Sequence, residues 1–164
     1  MKMKQKKVYL TVGIPASGKS SFVRKQIAQS GGVCVSRDEV RFSMLKDEDA
    51  YFQNENAVFE EFVKRVQAAI DGPEDVYVDA THISIGSRKK ILNRLDLNNA
   101  DEIIMLYFDV PLAVAMERNE LRTGRSLVPE TAMLSMAKGL TKPYATERIR
   151  VWTINEDGEV VSIE

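Results

Sequence analysis

The segment from Val8 to Ser21, VYLTVGIPASGKSS, constrains the possible fold more than any other part of the chain. It begins with a run of β-forming residues that predicts a strand, and the residues after it predict the apolar face of a helix. Between these elements, the residues from Gly13 to Ser20 spell G-x-x-x-x-G-K-[ST], the phosphate-binding P-loop. The motif requires a strand before it and a helix after it. A merely flexible glycine turn would need neither.

The chemistry of this loop predicts that the chain binds ATP together with Mg²⁺. Glycines let the backbone wrap tightly, so that N–H groups point at phosphate oxygens, and the positive N-terminus of the following helix adds to the attraction. Lys19 is expected to reach the β- and γ-phosphates, and the Ser20 hydroxyl to ligate Mg²⁺. The residues expected to contact the nucleotide here are Gly13, Ala16, Ser17, Gly18, Lys19, Ser20 and Ser21.

Length and composition limit the class of protein. A length of 164 residues predicts a single domain over residues 1–164, and the net charge of −1 gives no general attraction for long nucleic acids, although a local basic site is compatible with it. Cys34 is the only cysteine, so no disulfide forms within the chain, which favours a reducing compartment such as the cytoplasm. The basic start MKMKQKK precedes an apolar run too short for a signal peptide or a membrane span, so no membrane partner is expected.

The rest of the chain alternates strands with helices in the order β-α-β-α-β-α-β-α-α-β and closes with a hairpin. This order predicts an α/β fold of the P-loop NTPase kind, with a mostly parallel sheet covered by helices on both faces. Residues 33–36 are expected to form a short buried strand, residues 46–49 a charged surface stretch, and residues 103–108 a fully covered central strand. A long helix ending before Gly72 carries an apolar face from Ala57 to Ile70, and its charged residues, Glu55 among them, are expected to be solvated.

The polar segments of the chain follow the predicted strands. Because ligands of parallel α/β sheets bind outside the carboxyl ends of the strands, these segments are expected to meet at one edge. They are Gly13–Ser20, Arg37–Arg41, Asp79–His82 and Asp109.

The second polar segment offers a base for phosphoryl transfer. Asp38 is placed to accept the proton of a hydroxyl acceptor, and Arg41, three residues later, would share its face of a helical turn and hold the phosphoryl group or the acceptor. A capping aspartate with a surface ion pair is the alternative. Asp79, at the end of an apolar strand, could orient Mg²⁺ or serve only as a turn cap.

A basic segment surrounds Gly124 between two predicted helices. Arg118, Arg122 and Arg125 could form a small lid over residues 118–128 that closes on the nucleotide phosphates, with Arg118 and Arg122 sharing a helix face, or they could form a solvated basic turn. His82 is expected to make a hydrogen bond within its loop rather than to act in catalysis.

Several segments together resemble the kinase domain of the phage T4-type polynucleotide 5′-hydroxyl kinases and their bacterial end-healing relatives. These segments are GIPASGKSS, SRDEVR, VDATHIS, FDVPLAVAMERNELRTGR and LVPETAMLSM, and the resemblance runs from about residue 8 to about residue 144. It implies transfer of the ATP γ-phosphate to the 5′-OH end of DNA or RNA.

The resemblance also implies roles for individual residues. Asp38 is then the general base, Arg41 contacts the phosphoryl group in transit, and Arg37 contacts the 3′-phosphate of the acceptor. Lys19 and Ser20 hold phosphates and Mg²⁺, Asp79 supports the metal and acceptor side together with Thr81, Arg122 covers the phosphates, Arg118 flanks the nucleotide base, and Val128 packs on the terminal base of the acceptor.

The sequence departs from the T4 pattern in two respects. One extra residue between Arg122 and Pro129 leaves Arg122 and Arg125 as competitors for the phosphate-bridging role, and no D-x-D-G-T phosphatase motif is present, so no 3′-phosphatase activity is expected. Two further functions stay open: a small-molecule kinase on the same scaffold, such as a zeta-toxin-like, nucleoside or antibiotic phosphotransferase, and an ATP-binding module without turnover.

Overall fold

The computed structural model describes residues 4–46, 48–50 and 52–164. Its centre is a six-stranded sheet in the order β2-β3-β1-β4-β5-β6, in which β1 to β5 are parallel and β6 is antiparallel to β5. The strands are β1 Lys7–Val12, β2 Val33–Ser36, β3 Val76–Asp79, β4 Glu102–Phe108, β5 Ile149–Ile154 and β6 Val160–Ile163. The prediction of a mostly parallel α/β sheet is confirmed.

Within the described residues, six α-helices and one 3-10 helix connect or follow these strands. They are α1 Lys19–Ser30, α2 Arg37–Met44, α3 Glu55–Asp71, α4 Ile85–Arg94, α5 Leu112–Glu120, the 3-10 helix Gly124–Ser126, and α6 Glu130–Gly139. The helix α2 is an addition to the order expected from the sequence, where only a helical turn around Asp38 was predicted. Ser36 caps it by accepting a hydrogen bond from the Glu39 backbone N–H at 3.3 Å.

The side chains of β1 alternate between two cores, as the period of a strand requires. Val8, Leu10 and Val12 pack among the apolar residues of α3 and α4, whereas Tyr9 packs on the other face with Phe22 and Val23 of α1. The sheet is therefore covered on both sides. A third cluster, formed by Ile14, Ala115, Val128 and Met133, joins the P-loop to α5 and α6.

Two expectations about burial are wrong. Residues 33–36 form a strand, but β2 lies at the edge of the sheet, so Cys34 is exposed and its neighbours are only half-buried. Ala57 of the predicted apolar face is exposed, although Val58 to Ile70 supply the buried face of α3 as expected. Lys46 and Glu48 of the expected surface stretch are exposed, and Asp47 lies outside the described residues.

Among the residues that the structure describes, no helix has both the length and the apolar character needed to cross a bilayer.

Candidate active site

The P-loop has the backbone conformation that its sequence requires. Gly18 has φ of 97° and Ala16 has φ of 62°, so the loop passes twice through the left-handed region before α1 begins at Lys19. The Gly13 backbone N–H donates to the carbonyl oxygen of Thr81 at 3.0 Å, which ties the loop to the end of β3. A Cβ on Gly13 would lie 2.8 Å from Ser17 Oγ and 3.0 Å from Phe108 Cβ, so only glycine fits there.

The Lys19 ammonium lies within the curve of this loop. Its Nζ donates to the carbonyl oxygens of Gly13 at 3.0 Å and Ile14 at 2.7 Å. Burial lowers the pKa of Lys19 to about 8, against the opposing influence of the Asp79 and Asp38 carboxylates. The lysine is thus a desolvated cation at the position where a phosphate chain would follow the loop.

Asp79 connects the end of β3 to the P-loop. Its Oδ1 accepts from Thr11 Oγ1 at 3.1 Å and its Oδ2 accepts from Ser20 Oγ at 3.3 Å. Burial raises the pKa of Asp79, while the Lys19 charge and the two hydroxyl donors act in the opposite direction. A hydroxyl and a carboxylate oxygen side by side are the hard ligands that Mg²⁺ prefers, so the pair formed by Ser20 and Asp79 fits such an ion. Asp79 also has side-chain partners here rather than the backbone N–H of a turn cap.

His82 contacts the backbone of β1 just before the P-loop. Its ring is buried and its Nδ1 lies 2.7 Å from the carbonyl oxygen of Thr11. Burial lowers the pKa of His82 to about 4, with smaller effects from the charges of Arg37, Lys19 and Arg88. The expectation of a hydrogen-bonded loop histidine is confirmed, and the imidazole is neutral at physiological pH.

The acceptor side of the site is built on α2. Asp38 forms an ion pair with Arg41, whose side chain is only 6% exposed whereas that of Asp38 is 58% exposed. Ser36 rather than Asp38 caps this helix. The Asp38 carboxylate is therefore accessible from the cleft that it lines and lies beside a buried guanidinium, so a hydroxyl acceptor can reach it.

Glu55 is the site residue that the sequence interpretation missed. It was expected to be solvated, but its Oε2 accepts from Arg41 Nε at 3.0 Å and its Oε1 accepts from Arg41 Nη2 at 2.7 Å. The same Oε1 lies 3.5 Å from Arg37 Nη2. Helical periodicity places Glu55 outside the apolar face of α3. The periodicity of one helix gives no information about the arginines of α2 that lie beside Glu55 in the folded protein. The contact joins residues that are 14 positions apart in the sequence, so no local pattern indicates it.

One cleft brings the donor and acceptor groups together. It has a volume of about 460 Å³ and lies at the carboxyl ends of β1, β2 and β3. Asp109, at the end of β4, is exposed and is not one of its lining residues. The predicted site residues that line it are Ala16, Gly18, Lys19, Ser20, Ser21, Arg37, Asp38, Arg41, Asp79, Thr81, Arg122 and Val128.

A second cleft, of about 400 Å³, opens on the other side of Gly18. Ala16, Ser17, Gly18 and Ser21 line it together with Arg118, Arg122 and residues 156–158 of the turn between β5 and β6. Arg118 donates to the carbonyl oxygen of Glu156 and lies in the last turn of α5. This cleft has the position expected for the base and ribose of a nucleotide whose phosphates lie on the P-loop.

The three arginines of the basic segment separate in space. Arg122 lies just beyond the end of α5, not on its face beside Arg118, and lines both clefts. Its charge is also one of the influences that lower the pKa of Lys19. Arg125, on the 3-10 helix, donates to the carbonyl oxygen of Lys46. The geometry thus favours Arg122 over Arg125 as the residue nearer to the phosphates.

Val128 is fixed at the rim of the first cleft. Its backbone N–H donates to Asn119 Oδ1 at 3.0 Å, and its carbonyl oxygen accepts from Asn119 Nδ2 at 2.8 Å. Asn119 is buried at the end of α5, and its two hydrogen bonds fix the backbone of Val128 shortly before α6 begins. Val128 is 8% exposed, and it lines the same cleft as Met136 and Phe52.

The matches to known proteins agree with this geometry. Residues 8–143 match the family described as AAA domain. The fold is similar to that of a sugar kinase from Janibacter sp. HTCC2649, with a TM-score of 0.66, 14% identity and coverage of 94% of this chain and 87% of that chain. A gluconokinase from Sinorhizobium meliloti 1021 gives a TM-score of 0.59 at 18% identity, over 92% of this chain and 84% of the other.

A higher identity, 26%, relates the protein to a chain of the Pnkp1/Rnl/Hen1 RNA repair complex, with a TM-score of 0.70. The match covers 85% of this chain and 45% of the matched chain of that complex. Family match, fold and P-loop geometry agree. The chain belongs to the AAA domain family, and its fold is that of the P-loop kinases.

Proposed function

We propose that this protein is an ATP-dependent polynucleotide kinase that transfers the γ-phosphate of ATP to the 5′-hydroxyl end of DNA or RNA, as an end-repair enzyme of the cytoplasm. The observation that carries the proposal is the first cleft, which Lys19 and Ser20 of the P-loop line together with Asp38 and Arg41 of α2. A nucleotide-binding module without turnover would have no need for a carboxylate and a buried arginine opposite its phosphate loop.

In the proposed mechanism, ATP lies with its phosphates on the P-loop and its base in the second cleft. Lys19 and Arg122 balance the negative charge of the phosphates, and Ser20 and Asp79 would hold Mg²⁺, which supplies further charge neutralisation when bound. The buried Arg41 is oriented by Glu55 and contacts the phosphoryl group in transit.

The acceptor hydroxyl is placed beside Asp38. Its oxygen forms the new bond to the γ-phosphorus as the bond from that phosphorus to the bridging oxygen breaks, ADP leaves, and the proton of the hydroxyl moves to the Asp38 carboxylate. Because that carboxylate is largely exposed to the cleft, it can later release the proton to water.

Two features of the cleft favour a nucleotide end as the acceptor. Val128 and Met136 supply apolar surface on which a base can pack, and Arg37 supplies a cation for a phosphate on the 3′ side of the acceptor nucleoside. The likeness to a chain of an RNA repair complex at 26% identity agrees with this choice. A small-molecule acceptor is the second candidate, and the net charge of −1 favours it.

Phosphate transfer from γ-labelled ATP to a single-stranded 5′-OH oligonucleotide tests the proposal. We expect wild-type protein to label the 5′-OH strand and to leave a 5′-phosphorylated strand unlabelled. Asp38→Asn is expected to lower turnover by a factor of about 100 or more with ATP affinity retained, and Asp109→Asn, at the exposed end of β4, serves as the matched control. If sugars or nucleosides are labelled and the oligonucleotide is not, the acceptor is a small molecule and the proposal of a polynucleotide acceptor is wrong.

A further inference from the structure

Phe59 of α3 lies close to three cations, one from α2 and two from α4. The ring is 4% exposed, and its centre is 5.5 Å from the Arg37 guanidinium carbon, 4.2 Å from Lys90 Nζ and 5.7 Å from the Arg94 guanidinium carbon. We call Arg37, Lys90 and Arg94 the Phe59 cation cluster. Each distance is within the range in which an aromatic ring attracts a cation.

Carboxylates lie beside two of the three members of this cluster. Glu60 accepts two hydrogen bonds from Arg94, each of 2.7 Å, and Glu55 lies 3.5 Å from Arg37 but is also bound twice by Arg41. Within the described parts of the chain, Lys90 has no carboxylate within 4.0 Å. Cations held this close repel one another, and an anion bound among them would relieve the repulsion.

The cluster continues from the acceptor cleft onto the outer surface. Arg37 lines the cleft, and its side chain is 28% exposed, whereas that of Arg94 on α4 is 45% exposed and Lys90 is also exposed. The cations therefore lead from Asp38 outwards over α3 to α4. Since the chain as a whole has a net charge of −1, this is a local concentration of positive charge rather than a general property of the surface.

We propose that the Phe59 cation cluster binds the phosphate backbone of the acceptor strand on the 3′ side of the nucleotide in the cleft. The inference rests on the proposed function and adds to it a surface for the rest of the polynucleotide. The 5′-OH lies at Asp38, the first following phosphate at Arg37, and later phosphates at Lys90 and Arg94. Such contacts to the backbone are independent of base sequence and sensitive to salt.

The test compares a short acceptor with a long one. A nucleoside 3′-monophosphate can reach Arg37 alone, whereas a single-stranded 5′-OH oligonucleotide of about ten nucleotides can also cover Lys90 and Arg94. For Lys90→Gln we expect the KM for the oligonucleotide to rise about fivefold, with the KM for the nucleoside 3′-monophosphate unchanged. The slope of log affinity against log salt should become less negative by about 0.7 for each lost phosphate contact.

A variant that is expected to strengthen oligonucleotide binding complements Lys90→Gln. Glu60→Gln removes the carboxylate that occupies Arg94, so the oligonucleotide should bind about two- to threefold more tightly than to wild-type protein. Lys138→Gln, an exposed lysine of α6, has the same charge change as Lys90→Gln and should leave both acceptors unaffected.

The inference and the proposed function fail in different ways. Equal KM changes for the two acceptors, or an unchanged salt slope in Lys90→Gln, would overturn the inference while leaving the kinase intact. If wild-type protein labels neither acceptor, the proposed function fails, and equilibrium binding of a fluorescent oligonucleotide then decides on the surface alone. Binding that is equal for wild type, Lys90→Gln and Glu60→Gln overturns it.

Discussion

Glu55 holds Arg41 by two hydrogen bonds, from Nε at 3.0 Å and from Nη2 at 2.7 Å, and so fixes the guanidinium that lies beside Asp38. The arginine side chain is 6% exposed and that of the glutamate is 30% exposed, so the pair is shielded on one side and open on the other. A bidentate pair of this kind fixes both the position and the plane of the guanidinium. Arg41 therefore depends on a residue of the next helix for its orientation.

Replacing Glu55 by Gln is expected to lower kcat by about tenfold to 100-fold while the KM for ATP stays within about twofold. The arginine keeps Asp38 as a partner but loses its second carboxylate, so the free energy of unfolding should fall by about 1–3 kcal/mol. Steady-state kinetics and urea denaturation measure the two effects. Glu61→Gln, which removes an exposed pair with Arg65 on the same helix, is the control and should change neither.

Arg122 and Arg125 should differ sharply in their effect on ATP. Arg122 lines both clefts, so Arg122→Gln is expected to lower kcat/KM for ATP by about 100-fold. Arg125 binds the Lys46 carbonyl instead, and Arg125→Gln should change the same constant by no more than about twofold. The reverse ranking would show that the lid rearranges and that Arg125 bridges the phosphates.

The nucleotide-free protein should become more stable between pH 8 and pH 10.5 on account of Lys19. Burial lowers the pKa of this lysine from 10.5 to about 8, so in this range the unfolded chain holds a proton that the folded chain has released. Unfolding free energy then rises with pH, by at most about 1.4 kcal/mol per pH unit from this one group. Other groups titrate in the same range, so the measurement is the difference between wild type and Lys19→Met in denaturant unfolding from about pH 7 to about pH 11. A difference that does not change with pH would contradict the lowered pKa.

Two glycine substitutions should have opposite effects. Gly13→Ala places a methyl group 2.8 Å from Ser17 Oγ and 3.0 Å from Phe108 Cβ, so the loop must shift and both ATP binding and stability should fall, the latter by about 1–3 kcal/mol. At Gly86, in the first turn of α4, the nearest atom to a new methyl group would be 3.7 Å away, and Ala there should stabilise by about 0.4–1 kcal/mol. Thermal unfolding with and without ATP tests both variants. Equal stability of the two variants would exclude the steric explanation.

The parts of the fold that local sequence determines were predictable. The strand, loop and helix around Gly13 follow from a continuous motif, and β4 was recognised as a covered central strand because every residue from Ile103 to Phe108 is apolar. Residues 33–36 form a strand as predicted, but the prediction that this strand is buried is wrong, because a short apolar run is compatible both with the centre and with the edge of a sheet. The position of β2 in the sheet is decided by its pairing with β3, in which Val33 lies opposite Val76, far along the chain.

The same distinction between local and long-range contacts applies to the candidate site. The association of Asp38 with Arg41 follows from their spacing on one helix and is present. The role of Glu55 depends on how α3 packs against α2, and that of Arg125 on its contact with Lys46, which is distant in sequence. Helical period contains nothing about either contact.

The strand order sets the separation between the P-loop and the start of the helix that carries Asp38. β3 lies between β1, which leads into the P-loop, and β2, which leads into Asp38, so the two loops are separated by two interstrand spacings, about 10 Å in all. This width is set by backbone hydrogen bonds and by no side chain. The sheet thus fixes the separation between the donor side and the acceptor side of the cleft. Residues that line the cleft can therefore be replaced by others that bind a different alcohol without a change in this separation.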